Sequence, residues 1–247
     1  MKIKYLLIIL VLVALAIYLN RAYAHIYSAI NQAGLITPDT IGTYVVGNSN
    51  SPAKLTYVAL GDSLTAGVGV SQYEQAYPYL LAQKIANNQA KVTLKNLGVS
   101  GFKTENLINS SLESTIAAKP DIITLLIGIN DLHGNVAKKD FQKNYQQILQ
   151  ELAAKTTAKI YVIGLPQIGS NQLLWPPYNY YFRRQTKNFN EIIQQLTSQY
   201  KLTYVDLETP TTSLLKNDGL YYSTDLFHPG ITGHELWAQI IYDDFNK

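Results

Sequence analysis

Residues 55–67 read LTYVALGDSLTAG. The first seven are almost continuously apolar; the rest turn small and polar. A short apolar run closed by Gly-Asp-Ser has the profile of a strand buried on both faces that breaks into a turn. Four companions follow: KVTLKNLG (91–98), DIITLLIG (121–128), KIYVIGL (159–165) and LTYVDL (202–207). Stretches of helix length separate or follow them, at 73–88, 104–118, 138–155, 178–200 and 230–245. Strand alternating with helix predicts an α/β fold, a five-stranded parallel sheet with helices on both faces and right-handed crossovers. The body is therefore read as one domain over 54–247, without internal repeats.

The rest of the composition narrows the class. Of 247 residues, 47% are hydrophobic and 15% charged, which supports a sizeable core and excludes a wholly disordered chain. There is no cysteine, so a disulfide framework, a thiolate metal site and a cysteine nucleophile are excluded. The net charge of +3 resides in the first 24 residues, where Lys2, Lys4 and Arg21 face no acid. The remainder holds 17 basic and 17 acidic residues, so nothing argues for a nucleic-acid partner. The 19 tyrosines supply amphipathic rings that suit sugar or interface contact.

Lys2 and Lys4 precede an uncharged run, Tyr5 to Leu19, followed by Ala22-Tyr23-Ala24. A charged start, an apolar stretch and an A-x-A site form an export signal. Residues 1–24 are either a signal peptide cleaved near Ala24 or a retained membrane anchor; both place the body outside the cytoplasm. Residues 25–53 show no sustained period and end in GNSNSP, which reads as a linker or arm, with packing expected around Ile41 to Val46.

In an open parallel sheet, ligands bind at the carboxyl ends of the strands. The residues following each run are therefore the place to look for chemistry. Ser63 follows the first run and Gly98 closes the second. Asn130 follows the third, and Asp225 and His228 precede the last helix. A serine hydroxyl is a weak nucleophile that needs a base, and His228 is the candidate. Asp225, three residues earlier, can fix the imidazole's tautomer. The Ser63 and Gly98 amides and the Asn130 side chain can form an oxyanion hole. Asp62 and Asp131 read as structural. Trp175 and Tyr178, in a segment expected to overhang the site, and His133, just past Asn130, are possible substrate-binding residues. His25 carries no assigned role, and His234 reads as a surface or capping residue.

These blocks resemble the SGNH, or GDSL-type, esterase and lipase family. They are GDSLTAG (61–67), Gly98, GIND (128–131) and DLFHP (225–229). At average residue usage each multi-residue block arises by chance in about one to seven per cent of such chains, and the set in about one in 10⁴. The ordered set is therefore specific where G-D-S alone is not. The resemblance implies a three-layer α/β/α sandwich, similar to flavodoxin, and ester hydrolysis through a Ser63 acyl-enzyme without metal or cofactor. It also implies a small-molecule or polymer ester substrate, such as acylated surface polysaccharide. The alternatives are a lysophospholipase or lipase at the membrane, a thioesterase, or a non-catalytic protein binding glycan or lipid. A monomer is expected. Phosphate binding fails on sequence, since Gly67 and Gly69 are followed by neither a third spaced glycine nor Gly-Lys-Ser/Thr.

Overall fold

The computed structural model describes residues 2–39, 42–87, 89–167, 169–212 and 218–245. Ile41 and Asn88, on which part of the sequence reading falls, lie outside them. The sheet consists of β1 (Thr43–Gly47), β2 (Lys54–Gly61), β3 (Lys91–Gly98), β4 (Ile122–Leu126), β5 (Lys159–Ile163) and β6 (Thr203–Val205). Their order is β1-β3-β2-β4-β5-β6. The five expected runs pair in parallel, and β1 adds a sixth, antiparallel strand beside β3.

The central strands are aliphatic because both faces are covered. All of β4 is buried, and β2 is buried from Tyr57 onward. On one side α3 (Tyr77–Ala86) packs against α11 (Ile231–Phe245). On the other, α7 (Lys138–Lys155) packs against α4 (Thr104–Ser110), α5 (Leu112–Ala117) and α8 (Tyr178–Gln199). Helix α7 spans the stretch read from sequence. Its buried side chains Phe141, Tyr145, Ile148, Leu149 and Leu152 recur with the helical period that turns one stripe to the core.

The segment read as a linker carries regular structure. Helix α1 (Lys2–Ala33) runs through position 24 without interruption and stops at Gly34, whose φ of +71° suits a helix C-terminus. Ala22 and Ile26 are buried against the body. Their spacing with Ala29, Ile30 and Ala33 is a helical stripe, a signal that the sequence did carry. In β1 only Val46 is buried, so its five residues show no alternation strong enough to mark a strand; pairing with β3 defines it.

β2 is followed in the chain by its left-hand neighbour β3, whereas β4 and β5 extend the sheet the other way. The connections therefore diverge between β2 and β4, the kind of switch point where open α/β sheets bind ligands. The register aligns Gly61 with both Gly98 and Leu126, so the ends of β3, β2 and β4 lie level.

Candidate active site

Ser63 opens the four-residue helix α2 (Ser63–Ala66) directly after β2. Asp62 caps that helix, its Oδ1 accepting the Leu64 amide at 3.0 Å. This short turn aims the serine across the top of the sheet. Gly98 lies beside it, where a Cβ would collide with the backbone of Thr65 and Ala66. Only glycine allows β3 and α2 to approach so closely. Gly128 ends the β4 segment at φ +127° and begins α6 (Ile129–His133), which carries Asn130.

Asp225 and His228 come from the loop before α11. Asp225 Oδ1 accepts from the Ser223 hydroxyl at 2.6 Å, the Phe227 amide at 3.0 Å and the His228 amide at 2.9 Å. Its Oδ2 faces His228 Nδ1 at 2.6 Å, and His228 Nε2 lies 3.0 Å from Ser63 Oγ. Burial pushes the Asp225 carboxyl upward, but the hydrogen bond and charge of His228, with Ser223 and the Phe227 amide, outweigh it and hold it at about 2. An ionised carboxylate can only accept, so in the neutral imidazole the His228 proton resides on Nδ1 and Nε2 is left to accept from the serine hydroxyl. This arrangement can activate Ser63 for attack on a carbonyl. All three residues are buried.

Two of the three expected oxyanion donors, the Gly98 amide and the Asn130 side chain, have other partners at rest. The Gly98 amide donates to Asn96 Oδ1 at 3.0 Å, while Asn96 Nδ2 donates to the Thr65 carbonyl at 2.9 Å. Asn130 Nδ2 donates one hydrogen to the Phe102 carbonyl at 3.0 Å, and an amide nitrogen carries two. Asn96 and Ser223 were not singled out in the sequence. Asn96 is two residues before the motif glycine and Ser223 two before the motif aspartate, positions where short polar side chains fold back on the backbone.

Asp131 accepts the Thr104 amide at 2.9 Å and hydroxyl at 2.6 Å and so ties α6 to α4. His133 stacks on Phe182 at 4.7 Å between ring centroids, and Tyr178 reaches back to α1 through a hydrogen bond to the Leu19 carbonyl at 3.3 Å. Trp175 is stacked on His25 of α1 at 4.3 Å and donates to Gln172. His234 is no surface residue. It is fully buried, accepts the Tyr77 amide at Nδ1 (3.2 Å) and is kept neutral by burial, which lowers its pKa to about 3. Its partner is 157 residues distant in the chain, beyond the reach of local sequence reading.

The sheet with these groups at its carboxyl edge defines an SGNH-type serine hydrolase acting on ester bonds. The chain belongs to the GDSL-like lipase/acylhydrolase family, whose model matches residues 59–236. It is similar to the acetylxylan esterase of Geobacillus stearothermophilus, with 25% identity over 202 residues covering 78% of this chain and 85% of that one. It is also similar to the spore germination lipase LipC of Bacillus licheniformis, 26% identical over 208 residues (75% of this chain, 93% of that one). In fold it resembles the lipase/acylhydrolase from Enterococcus faecalis, with a TM-score of 0.64 and 23% identity, covering 77% of this chain and 95% of that structure.

Proposed function

We propose that the protein is an exported, membrane-anchored serine esterase working through a Ser63 acyl-enzyme. The observation that carries this reading is the relay Asp225 Oδ2–His228 Nδ1 (2.6 Å) and His228 Nε2–Ser63 Oγ (3.0 Å). His228 takes the hydroxyl proton as Ser63 attacks the ester carbonyl, and Asp225 stabilises the imidazolium. The Ser63 amide, the second Asn130 N–H and the Gly98 amide, once it turns from Asn96, hold the oxyanion. His228 then protonates the leaving alcohol. Water, deprotonated by the same imidazole, releases the acid and restores Ser63.

The anchored reading is supported by α1, whose segment Ile3–Ala33 is long and apolar enough to cross a membrane. With Lys2 and Lys4 inside, the active site faces outward. The acetylxylan esterase relative supports a small acyl group on surface polysaccharide. The lipase relative, and the attachment of α1 to the body, support an ester at the membrane. A fluorophosphonate should label Ser63 and no other residue. Ser63→Ala should abolish turnover of p-nitrophenyl esters by the purified protein, and Asn130→Ala should lower kcat by about 10²–10³, as expected for one oxyanion donor. Full activity in both variants would overturn this mechanism and revive a non-catalytic binding role.

A further inference from the structure

Helix α1 has two unlike parts. From Ile3 to Ile17 its large apolar side chains are half or more exposed, so the protein itself does not cover them. From Ala22 to Ile30 it lies on the catalytic body. Ile26 packs with Leu173 and Leu174, and Ala29 and Ile30 join the same cluster. Polar contacts fix the orientation: the Tyr18 hydroxyl donates to the Pro176 carbonyl at 2.8 Å, and His25 Nε2 meets the Gln172 carbonyl at 3.0 Å.

Between this part of α1, the end of α6 and the start of α8 lies a cavity of about 310 Å³. Ile26, Ile30, His133, Tyr178, Phe182 and Phe227 line it, and among the described residues no charged side chain does. Phe227 joins it to the catalytic centre, its ring lying edge-on at 4.9 Å from that of His228. His133 stands three residues beyond Asn130 on α6, a spacing that puts both on one side of the helix. Its Nε2 is shut from solvent and has no hydrogen-bond partner among the described residues. Burial lowers its pKa to about 4, so it is neutral in use. A buried polar atom without a partner is rare and calls for explanation, and a ligand group can supply the missing bond.

We propose that this cavity binds the acyl chain of a single-chain lipid ester drawn from the membrane that holds α1, with His133 Nε2 hydrogen-bonded to a free hydroxyl beside the ester. The proposal rests on the Ser63 acyl-enzyme reading. Branched aliphatic and aromatic walls suit a hydrocarbon chain, and the volume is at the lower end of small-ligand sites, about 300–1,000 Å³. The anchoring helix forms one wall, so the chain has a path from the bilayer along α1. Tyr23 and Tyr27, about half exposed and lining the same cavity, mark its open side.

The test uses the full chain in detergent micelles. It compares kcat/KM for p-nitrophenyl acetate, octanoate and laurate and for 1-lauroylglycerol. The wild type should prefer laurate to acetate, and 1-O-dodecylglycerol, which cannot be hydrolysed as an ester, should inhibit where glycerol does not. Ile30→Trp, which fills the cavity, should lower the laurate-to-acetate ratio by about tenfold or more. His133→Phe keeps the ring stack and removes the nitrogen. It should lower 1-lauroylglycerol relative to p-nitrophenyl laurate by about fivefold, because only the former has hydroxyls. Ser63-dependent activity that prefers acetate, ignores dodecylglycerol and leaves both ratios unmoved in the variants would overturn the acyl site alone. Turnover of no ester, with Ser63 unreactive to fluorophosphonate, would instead overturn the catalytic reading beneath it.

Discussion

Asp62 directly precedes Ser63 and is fully buried, with no hydrogen-bond partner for its Oδ2 among the described residues. Burial, only partly offset by the Leu64 amide and reinforced by the charge of Asp131, raises its pKa from 3.8 to about 7. A carboxyl that keeps its proton can sit in such a place without a counter-ion. The unfolded chain releases that proton near 3.8 and the folded chain only near 7, so in that window the folded state binds more protons. Stability from this group therefore falls as pH rises from about 4 to 7, reaching a few kcal/mol at most. Asp225 acts in the opposite sense. Its pKa is held at about 2, so its stabilising share is lost only as pH falls below the ordinary carboxylate range. Asp62→Asn should remove the first dependence and leave the second. The melting temperature of the variant should gain on that of the wild type by several degrees between pH 5 and 8, at roughly 2–4 °C per kcal/mol. Parallel profiles would mean that Asp62 is ionised throughout.

At the scale of elements, α2 and β3 are fastened by one side chain. Asn96 donates to the Thr65 carbonyl of α2 and accepts the Gly98 amide at the end of its own strand. Asn96→Ala leaves both buried groups unpaired, and should cost about 1–3 kcal/mol. Urea titration should show a lower midpoint at unchanged slope, the mark of lost stability without a changed denatured state. A midpoint within error of wild type would show that the loop closes up without the side chain. Such fastenings explain what the sequence could disclose. Of the five parallel strands, β2, β4 and β5 were legible because burial on both faces writes each as a nearly unbroken apolar run, whereas β3 was legible by alternation, burying every second side chain. Ser63, Gly98, Asn130 and the Asp225/His228 pair were legible because each follows a strand or precedes a helix at a fixed spacing. The antiparallel β1 was not, since an edge strand with one buried side chain has little pattern of its own. Nor was the burial of His234, or the Trp175–His25 stack that turns an expected substrate-facing ring toward α1; these depend on partners distant in the chain.

The whole molecule has a neutral catalytic body attached to a basic, apolar helix, and that division bears on the orientation proposed above. In the proposed anchored form Lys2 and Lys4 stay on the cytoplasmic side, and the balanced charge of the body does not oppose that orientation. The docked half of α1 bears on the fate of the Ala22-Tyr23-Ala24 site. Ala22 is fully buried, and positions 22–24 lie inside an unbroken helix. Proteolysis favours exposed, irregular backbone, so a folded body should protect this site and retain its anchor. The absence of cysteine provides a clean reporter, because a single introduced thiol has no competitor in the chain. Leu220, on the short helix α10 (Asp218–Tyr221), is 73% exposed and suits the purpose. In intact cells a membrane-impermeant maleimide should label Leu220→Cys fully, on a chain that keeps its full mass of 27.6 kDa. Labelling only after lysis would place the body in the cytoplasm. Labelling of a chain shortened by its first 24 residues would keep the export and remove the anchor, and with it the path by which a membrane ester reaches the cavity beside Phe227.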